Sequence, residues 1–328
     1  MKRLIVLCIV VLGLSPGLWW RSPPPLTHYD DGLTVVRLDA PERVGEFQVL
    51  GLWQLASLNA HFGGYSALVL PGDGTLLAAS DRGSILRMPP PDREGAAAMR
   101  ELAEGGTMAK RDGDIESLTR DPATGRLWFG FESSNSIERR DAQLGNPQRV
   151  RPTAMKGWPG NSGPEAMVRL ADGRFLVISE GSSMESGPSP ALLFPGDPVE
   201  GARPLQFAFE APDGMRPVDA VQLPDGDVLV LARKVEWALP PGFLTAIVRA
   251  DPKGIEAGKP WRGEVVARFA GDLPRDNFEG LALDPDSPPD APVLWLLSDD
   301  NGGEFQRTLL YKLRLAPTQK ARGSPRTP

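Results

Sequence analysis

The sequence predicts an all-β fold, a single β-propeller of five blades closed by an N-terminal strand. Three observations lead to this prediction. One short motif recurs along the chain at intervals of 49 to 60 residues, Asp-Gly turn signals separate apolar runs, and helical periodicity is weak throughout. A repeat of this length that consists of strands and turns is typical of a propeller blade.

Each repeat opens with a motif that begins an apolar strand. The copies are Gly64-Tyr65-Ser66-Ala67-Leu68, Asp114-Ile115-Glu116-Ser117-Leu118, Gly163-Pro164-Glu165-Ala166-Met167, Pro217-Val218-Asp219-Ala220-Val221 and Asn277-Phe278-Glu279-Gly280-Leu281. A turn follows, and then a short run that is apolar throughout, at residues 76–79, 127–131, 175–178, 228–231 and 293–297. Such runs fit strands that are covered on both faces, and two further strands complete most repeats, as at residues 244–249 and 264–269.

The last repeat supplies only three strands and ends at residues 308–315, whereas residues 47–55 precede the first repeat as a fourth strand should. We therefore expect the N-terminal strand to close the ring, because closure removes an exposed sheet edge. Residues 33–38 are predicted to form an extra edge strand. If they belong to a degenerate unit instead, the propeller has six blades.

The N-terminal segment has the basic and apolar regions of a secretory signal, with Lys2 and Arg3 followed by an apolar run at residues 4–14. Because no small-x-small cleavage site follows, an uncleaved anchor is the alternative. We expect residues 1–21 to be a signal peptide or anchor, 22–32 a linker, 33–315 the propeller and 316–328 a disordered tail. The protein is thus predicted to be exported, periplasmic or extracellular, or tethered to the inner membrane.

Composition excludes several classes of function. The net charge of -6 leaves no basic footprint for nucleic acid, and the only cysteine, Cys8, lies in the N-terminal apolar run, which excludes a disulfide framework. With two histidines and no Gly-x-Ser-x-Gly element, a serine hydrolase triad is not expected. The closed ring is expected to be a monomer that acts on a small molecule.

Alignment of the repeats places ionisable residues at two equivalent positions, and equivalent positions on inner strands form rings around the pore. The first ring is Ser66, Glu116, Glu165, Asp219 and Glu279; the second is Asp81, Glu132, Glu180, Arg233 and Asp299. Crowded carboxylates repel one another, and oxygen donors without cysteine or histidine suit Ca²⁺ or Mg²⁺. The alternative is architectural, in which each acid accepts backbone N–H bonds from the neighbouring blade.

We assign predicted roles from this alignment. Glu116, Glu165 and Glu279 are candidate catalytic residues, with His61 as a candidate base in the loop before the first blade. Ligand-binding candidates for an anionic group are Arg82, Arg233, Lys234 and Ser66. Candidate ligands of a divalent cation, with Ca²⁺ favoured, are Asp81, Glu132, Glu180, Asp219, Asp299 and Asp300. Charge compensation within the ring is the alternative for the basic residues, and a loop role without chemistry is the alternative for His61.

The repeat motifs, together with Ser80-Asp81-Arg82-Gly83 and Leu297-Ser298-Asp299-Asp300-Asn301, resemble the phytase-like family with esterase-like activity of phytase, a group of exported bacterial β-propellers. The resemblance implies hydrolysis of phosphate or carboxylate esters, and calcium by analogy with propeller phytases. Two hypotheses follow. The first is a metal-dependent esterase, phosphoesterase or lactonase; the second is a non-catalytic propeller that binds a small molecule or a cell-envelope partner.

Overall fold

A computed structural model describes residues 28–102, 113–181, 187–236, 242–302 and 306–316. Residues 1–21, expected to be a signal or anchor, and residues 317–328 of the expected tail lie outside this part of the chain. In the described residues the fold is all-β, with five sheets that are antiparallel except for one short parallel pair and are arranged around a central axis, which confirms the predicted five-bladed propeller. Four single-turn 3₁₀ helices lie in connections, at Thr153–Met155, Pro198–Glu200, Pro212–Gly214 and Pro252–Gly254. None of the described helices is long and apolar enough to cross a membrane.

The strands follow the repeats. The N-terminal strands are β1 (Thr34–Arg37), β2 (Arg43–Val44) and β3 (Phe47–Ala56). Blade 1 contains β4 (Tyr65–Val69), β5 (Leu76–Ser80), β6 (Ser84–Met88) and β7 (Ala98–Glu101), and blade 2 contains β8 (Ile115–Arg120), β9 (Leu127–Phe131), β10 (Ser136–Arg140) and β11 (Gln148–Val150). Blade 3 contains β12 (Pro164–Arg169), β13 (Phe175–Ser179), β14 (Ser189–Phe194) and β15 (Leu205–Phe209). Blade 4 contains β16 (Arg216–Gln222), β17 (Val228–Glu236), β18 (Gly242–Ala250) and β20 (Glu264–Phe269), and the short strand β19 (Pro260–Trp261) lies in sequence between β18 and β20. Blade 5 contains β21 (Asn277–Leu283), β22 (Val293–Asp299) and β23 (Thr308–Leu315).

The first strand of each blade lies at one edge of its sheet, and the next strands follow outward in chain order. The turns that join the first two strands explain why the Asp-Gly signals were informative. Gly173 and Gly226 adopt φ of +90° and +99°, a region that side chains with a Cβ rarely occupy. These glycines let the chain reverse within a few residues and bring the second apolar run beside the first.

The N-terminal strand closes the ring as predicted. Strand β3 pairs antiparallel with β23 from Leu55 opposite Thr308 to Phe47 opposite Leu315, and β1 adds a further strand outside β3. One strand pairing was not predicted. Strand β19, which belongs to the blade 4 sequence, pairs in parallel with β15 of blade 3 and seats Trp261 beside Phe207 and Phe209.

The core lies between the blades, because both faces of each sheet are covered by a neighbour. Strands β5, β9 and β13 are buried over their whole length, as their uniform apolar composition predicted. Close approach of blades 5 and 1 requires a glycine at position 280, where a Cβ would lie 2.9 Å from Leu68 Cβ. Each large apolar side chain buried in this way contributes about 2 kcal/mol relative to an exposed one.

Residues 28–32, the described part of the expected linker, lie against the propeller. His28 forms a parallel bridge with Asn59, and the Asn59 side-chain amide donates a hydrogen bond to the Asp30 carbonyl. The Asp31 carboxylate accepts the backbone N–H of Met99 at the start of the outer strand of blade 1, at 2.8 Å. The chain is therefore held to the propeller ahead of β1.

Candidate functional site

Every inner strand carries a β-bulge near its start. The pairing register between the first two strands of each blade skips one residue, and the skipped residues are Ser66, Glu116, Glu165, Val218 and Glu279. A bulge leaves one residue out of the ladder and turns its side chain away from the regular alternation. The bulges thus aim three glutamates at one end of the pore, which we call the acid end.

The register also defines two positions that flank the bulge in space. One precedes it on the inner strand and is occupied by Gly64, Asp114, Gly163, Arg216 and Asn277. The other lies opposite on the second strand and is occupied by Asp81, Glu132, Glu180, Arg233 and Asp299. The second set is the second ring of the sequence alignment, whose equivalence the register supports.

The register corrects the alignment at Asp219. The bulge of blade 4 falls on the buried apolar residue Val218, so Asp219 stands one residue beyond the position of the three glutamates. Its carboxylate accepts the backbone N–H of Leu281 on the neighbouring inner strand at 2.7 Å and that of Ala220 at 2.8 Å. Asp219 therefore occupies the architectural role that the sequence analysis kept as the alternative, and it joins blade 4 to blade 5.

Ser66 has a similar place between blades. Its buried hydroxyl donates to the Ile115 carbonyl of blade 2, and the Ser117 hydroxyl donates in the same way to the Pro164 carbonyl of blade 3. Inner strands are sheet edges, and their outward backbone groups need partners where water is excluded. The hydroxyl of Ser66 is engaged in this way within the wall of the pore.

Blade 2 supplies a compact acidic triad, formed by Asp114, Glu116 and Glu132. One carboxylate oxygen from each residue lies within 4.8 Å of the others, and all three residues are half-buried. The Asp114 carboxylate also accepts bonds from the backbone N–H and hydroxyl of Ser133. Asp114 was missed as a site residue in the sequence analysis, although it opens the repeat motif two residues before Glu116.

Glu165 and Glu180 of blade 3 continue the acidic surface beside this triad. The Oε1 atom of Glu165 is buried and has no hydrogen-bond partner within the described part of the chain. Burial raises the pKa of Glu165 well above its ordinary value, and the charges of Glu180, Glu132 and Glu279 raise it further. A buried carboxyl with an unpaired oxygen and raised pKa is a group that a proton or a cation would stabilise.

The same causes act on the triad. Burial, followed by the charge of Glu165, raises the pKa of Glu116 well above its ordinary range. Burial and the adjacent Asp114 raise the pKa of Glu132 to about 7. The acid end of the pore is consequently a region where several carboxyl groups cannot all be ionised at neutral pH without a compensating cation.

The guanidinium of Arg233 lies among these acids, on the opposite side of the pore from blade 2. The Arg233 guanidinium forms an ion pair with Glu279, with 2.7 Å between Nη2 and Oε1. Burial lowers the pKa of Arg233, but the carboxylates of Glu279, Glu180, Glu165 and Glu116 outweigh burial and the net shift is upward. Arg233 thus compensates the blade 5 and blade 3 acids.

Asn277 completes the blade 5 part of the site and was also missed in the sequence analysis. Its side-chain amide donates to Glu279 Oε1 at 2.7 Å and approaches Asp299 Oδ2 at 3.4 Å. Burial and the charge of Glu279 raise the pKa of Asp299 to about 8. Asn277 holds the position of Asp114 in its own blade, so the repeat alignment already contained the signal that identifies both residues.

Asp81, Arg82 and Asp300 lie at the rim between blades 1 and 5. The side chain of Arg82 is 46% exposed and is 3.8 Å from Asp81, whose pKa burial raises to about 6 despite the nearby guanidinium. The Asp300 carboxylate accepts the backbone N–H of Gly64 at 3.1 Å and the hydroxyl of Thr308 at 3.2 Å. Asp300 therefore joins the two blades, while Arg82 presents its charge to solvent.

Two candidates lie elsewhere. The Lys234 ammonium donates to the Asp213 carbonyl at 3.1 Å, on the opposite side of β17 from Arg233. The His61 ring packs on Tyr29 and lies 3.5 Å from the Ser84 hydroxyl at the start of β6. Among the described contacts, neither side chain touches a carboxylate of the acid end.

Comparison with solved structures gives matches of low identity. An aldose sugar dehydrogenase from Streptomyces coelicolor, in its PQQ-bound form, is 15% identical over 87% of this chain and all of its own chain, with a TM-score of 0.45. An α-L-arabinofuranosidase from Podospora anserina is 14% identical over 77% of this chain and 92% of its own, with a TM-score of 0.46. Because both scores are below 0.5, the fold assignment rests on the sheet topology above. No curated protein matches the sequence.

A protein-family model does match. It covers residues 60–302, a span that contains all five inner strands and the acid end of the pore, and its description is phytase-like, esterase-like activity of phytase. The matched span comprises most of the chain, and the repeat motifs within it are those that carried the resemblance in the sequence. This chain belongs to the phytase-like family described as esterase-like activity of phytase.

Proposed function

We propose that the acid end of the pore hydrolyses small anionic esters with the help of a divalent cation. The observation that carries this proposal is the asymmetry of the pore. The acidic triad of blade 2 faces a site whose opposite side holds the Arg233 guanidinium. Separate acidic and basic surfaces around one end of a pore suit a cation and the anionic part of a substrate bound side by side.

The donor atoms of the triad fit a hard cation such as Ca²⁺. Calcium takes six to eight oxygen ligands at about 2.3–2.6 Å, so two ligand oxygens on opposite sides of the ion are about 5 Å apart. The triad oxygens lie within 4.8 Å of one another, so all three are close enough to ligate one Ca²⁺ ion without rearrangement. The buried Oε1 of Glu165, which has no hydrogen-bond partner within the described residues, lies beside this triad and is left for proton transfer rather than for ligation.

The proposed chemistry divides between the cation and the protein. A cation held by Asp114, Glu116 and Glu132 would polarise the ester and lower the pKa of a bound water. Arg82 and Arg233 hold the anionic group of the substrate. Burial raises the pKa of Glu165 well above its ordinary value, which suits this carboxyl to donate a proton to the leaving oxygen and to regain one from the attacking water. Phosphoesters, carboxyl esters and lactones all satisfy these requirements.

The experiment compares metal-stripped protein with protein supplied with Ca²⁺ or Mg²⁺, using p-nitrophenyl phosphate, p-nitrophenyl acetate and γ-butyrolactone as substrates. We expect metal-dependent turnover of at least one substrate class. The double variant Glu116→Gln/Glu132→Gln should lower that turnover at least about 100-fold, because it removes two ligand charges. Asp172→Asn is the matched control, since Asp172 is an exposed acid in a turn outside the pore.

Turnover that is absent with every substrate and metal would overturn the hydrolase proposal. If Ca²⁺ still raised the melting temperature, and the double variant abolished that rise, the result would favour the second hypothesis, a propeller that binds an anionic small molecule through a bound cation. The proposal includes export of the protein through its N-terminal segment, so that the substrate would be met outside the cytoplasm.

A further inference from the structure

A cavity lies at the end of the pore opposite the acid end, where the inner strands finish. Its volume is about 290 Å³, and all five inner strands β4, β8, β12, β16 and β21 line it. The lining is largely apolar, with Leu70, Val221 and Leu283 among its walls. We call it the apolar end of the pore. Since a water occupies about 30 Å³ in the liquid, the cavity has room for about ten non-hydrogen atoms.

The apolar end is separated from the acid end by a closed waist. Four of the residues just beyond the bulges, Ala67, Ser117, Ala166 and Asp219, are 0–1% exposed. The fifth is Gly280, where there is no room for even a Cβ beside blade 1. The carboxyl and hydroxyl of Asp219 and Ser117 are bonded to backbone groups of neighbouring blades. A ligand at the apolar end therefore does not reach the carboxylates of the proposed hydrolase site.

Two arginines from neighbouring blades give this cavity a positive edge. Arg120 of blade 2 and Arg169 of blade 3 both line it, at equivalent positions of β8 and β12. Arg169 lies 3.5 Å from Asp121, whereas Arg120 donates one hydrogen bond to the Pro71 carbonyl and forms no ion pair within the described residues. Burial lowers the pKa of Arg120, and the nearby charges of Asp121, Asp286 and Asp73 offset only part of this shift. A partly desolvated cation with no carboxylate in direct contact favours an anion.

Two other polar side chains that line this cavity, Thr119 and Gln222, are already hydrogen-bonded, and the Thr119 hydroxyl oxygen accepts the backbone N–H of Arg169 at 3.0 Å. The Gln222 side chain accepts the backbone N–H of Ala171 at 2.7 Å and donates to the Gly226 carbonyl at 2.8 Å. Recognition of a ligand would thus come from apolar walls and arginine charge alone. This combination selects for a molecule with one anionic group and a short apolar body.

We propose that the apolar end of the pore binds a small amphipathic anion, a carboxylate or phosphate that carries an apolar chain of about six or seven carbons. The head group contacts Arg120 and Arg169, and the chain lies against Leu70, Val221 and Leu283. The proposal is independent of the hydrolase activity, because the closed waist separates the two ends of the pore.

The test uses the full chain with octanoate, which has ten non-hydrogen atoms, followed by saturation-transfer NMR and by the rise in melting temperature. Hexyl phosphate is the second arm and distinguishes a phosphate from a carboxylate head group. We expect millimolar or tighter binding of at least one anion. Octanamide, without charge, and acetate, without the chain, should each bind about tenfold or more weakly.

Two variants locate the binding. Arg120→Gln/Arg169→Gln keeps a donor for the Pro71 carbonyl and should weaken the anion about tenfold. Leu283→Trp fills the cavity and should remove binding of the chain while both arginines remain. Arg174→Gln, at an exposed turn, is the matched control. The absence of anion binding to folded protein at about 20 mM, a concentration far above that expected for ten well-buried atoms, would overturn the proposal. So would binding that the arginine variant leaves unchanged and Glu116→Gln/Glu165→Gln abolishes.

Discussion

Blades 2 and 4 share one backbone plan but present opposite charges to the pore. At the three positions around the bulge, blade 2 has Asp114, Glu116 and Glu132, all acidic. The same positions of blade 4 hold Arg216, the buried apolar Val218 and Arg233. Because the pairing register is the same in both blades, the difference lies only in which side chains were placed on a common frame.

This comparison shows how a symmetric fold builds an asymmetric site. A ring with five equivalent acids would repel itself without distinguishing one direction from another. Blade 4 has basic and apolar residues where blade 2 has acids. One side of the acid end is therefore suited to bind a cation, and the other side is suited to bind an anion. Because blade 4 contributes no carboxylate at the bulge position, the Asp219 carboxylate accepts backbone N–H groups instead of facing the other acids.

The largest expected effect comes from removing the Arg233 guanidinium of blade 4. Arg233→Met leaves Glu279 buried beside Glu180 and Glu165 without its ion-pair partner, and we expect the free energy of unfolding to fall by about 3 kcal/mol at pH 8. Urea unfolding measures the change. Arg233→Met/Glu279→Gln should recover most of the loss, because the unpaired charge is gone. An unchanged stability of the single variant would show that the pore does not need this cation.

A smaller effect on stability distinguishes an acid that accepts backbone hydrogen bonds, Asp219, from an acid of the proposed cation site, Glu116. Asp219→Ala leaves two buried backbone N–H groups without their acceptor and should cost about 2 kcal/mol of unfolding free energy, with the stabilisation by Ca²⁺ unchanged. Glu116→Gln in blade 2 should have the opposite result. The metal-free protein should become more stable, because repulsion between carboxylates is relieved, and Ca²⁺ should no longer stabilise the protein. Urea unfolding with and without Ca²⁺ checks both. If Asp219→Ala also lost the Ca²⁺ effect, Asp219 would belong to the cation site.

The smallest effect is a dependence of stability on pH. The pKa values of Asp81, Glu132 and Asp299 are raised to about 6, 7 and 8, so the folded protein binds more protons than the unfolded chain between about pH 4 and pH 8. The stabilisation from these groups is fully present at and below the ordinary carboxyl pKa and is lost as pH rises through the raised values. We expect the metal-free protein to melt at least about 4 °C lower at pH 8 than at pH 5.5.

Calorimetry with a chelator present measures this difference, and added Ca²⁺ should reduce it because the cation replaces the lost protons. The variant Glu116→Gln/Glu132→Gln should show a weaker dependence, whereas Arg233→Met should show a stronger one. A melting temperature that rises between pH 5.5 and pH 8 without metal would contradict the raised pKa values. It would mean that the acids of blade 2 are compensated in another way.

Much of the fold followed from local patterns. The Asp-Gly turns, the second strands that are apolar throughout and the interval between motifs predicted five blades, and the missing fourth strand of the last repeat predicted closure by β3. The rings of the acid end also followed, since equivalent positions in a repeat become equivalent positions around an axis. What alignment could not provide was the one-residue shift at Asp219, because a bulge changes register without leaving a mark in the sequence.

By itself the sequence determined the periodicity, the turn geometry, the charge of each blade and the membership of the family. These depend on residue type and on spacing along the chain, both of which are local properties. The tertiary structure alone decided which acids are paired, which carry raised pKa values and which join blades, because hydrogen bonding and desolvation depend on neighbours from other blades. For the same reason, Glu116 and Asp219, aligned in the sequence, face different partners: Glu116 lies among other carboxylates, and Asp219 holds the backbone of blade 5.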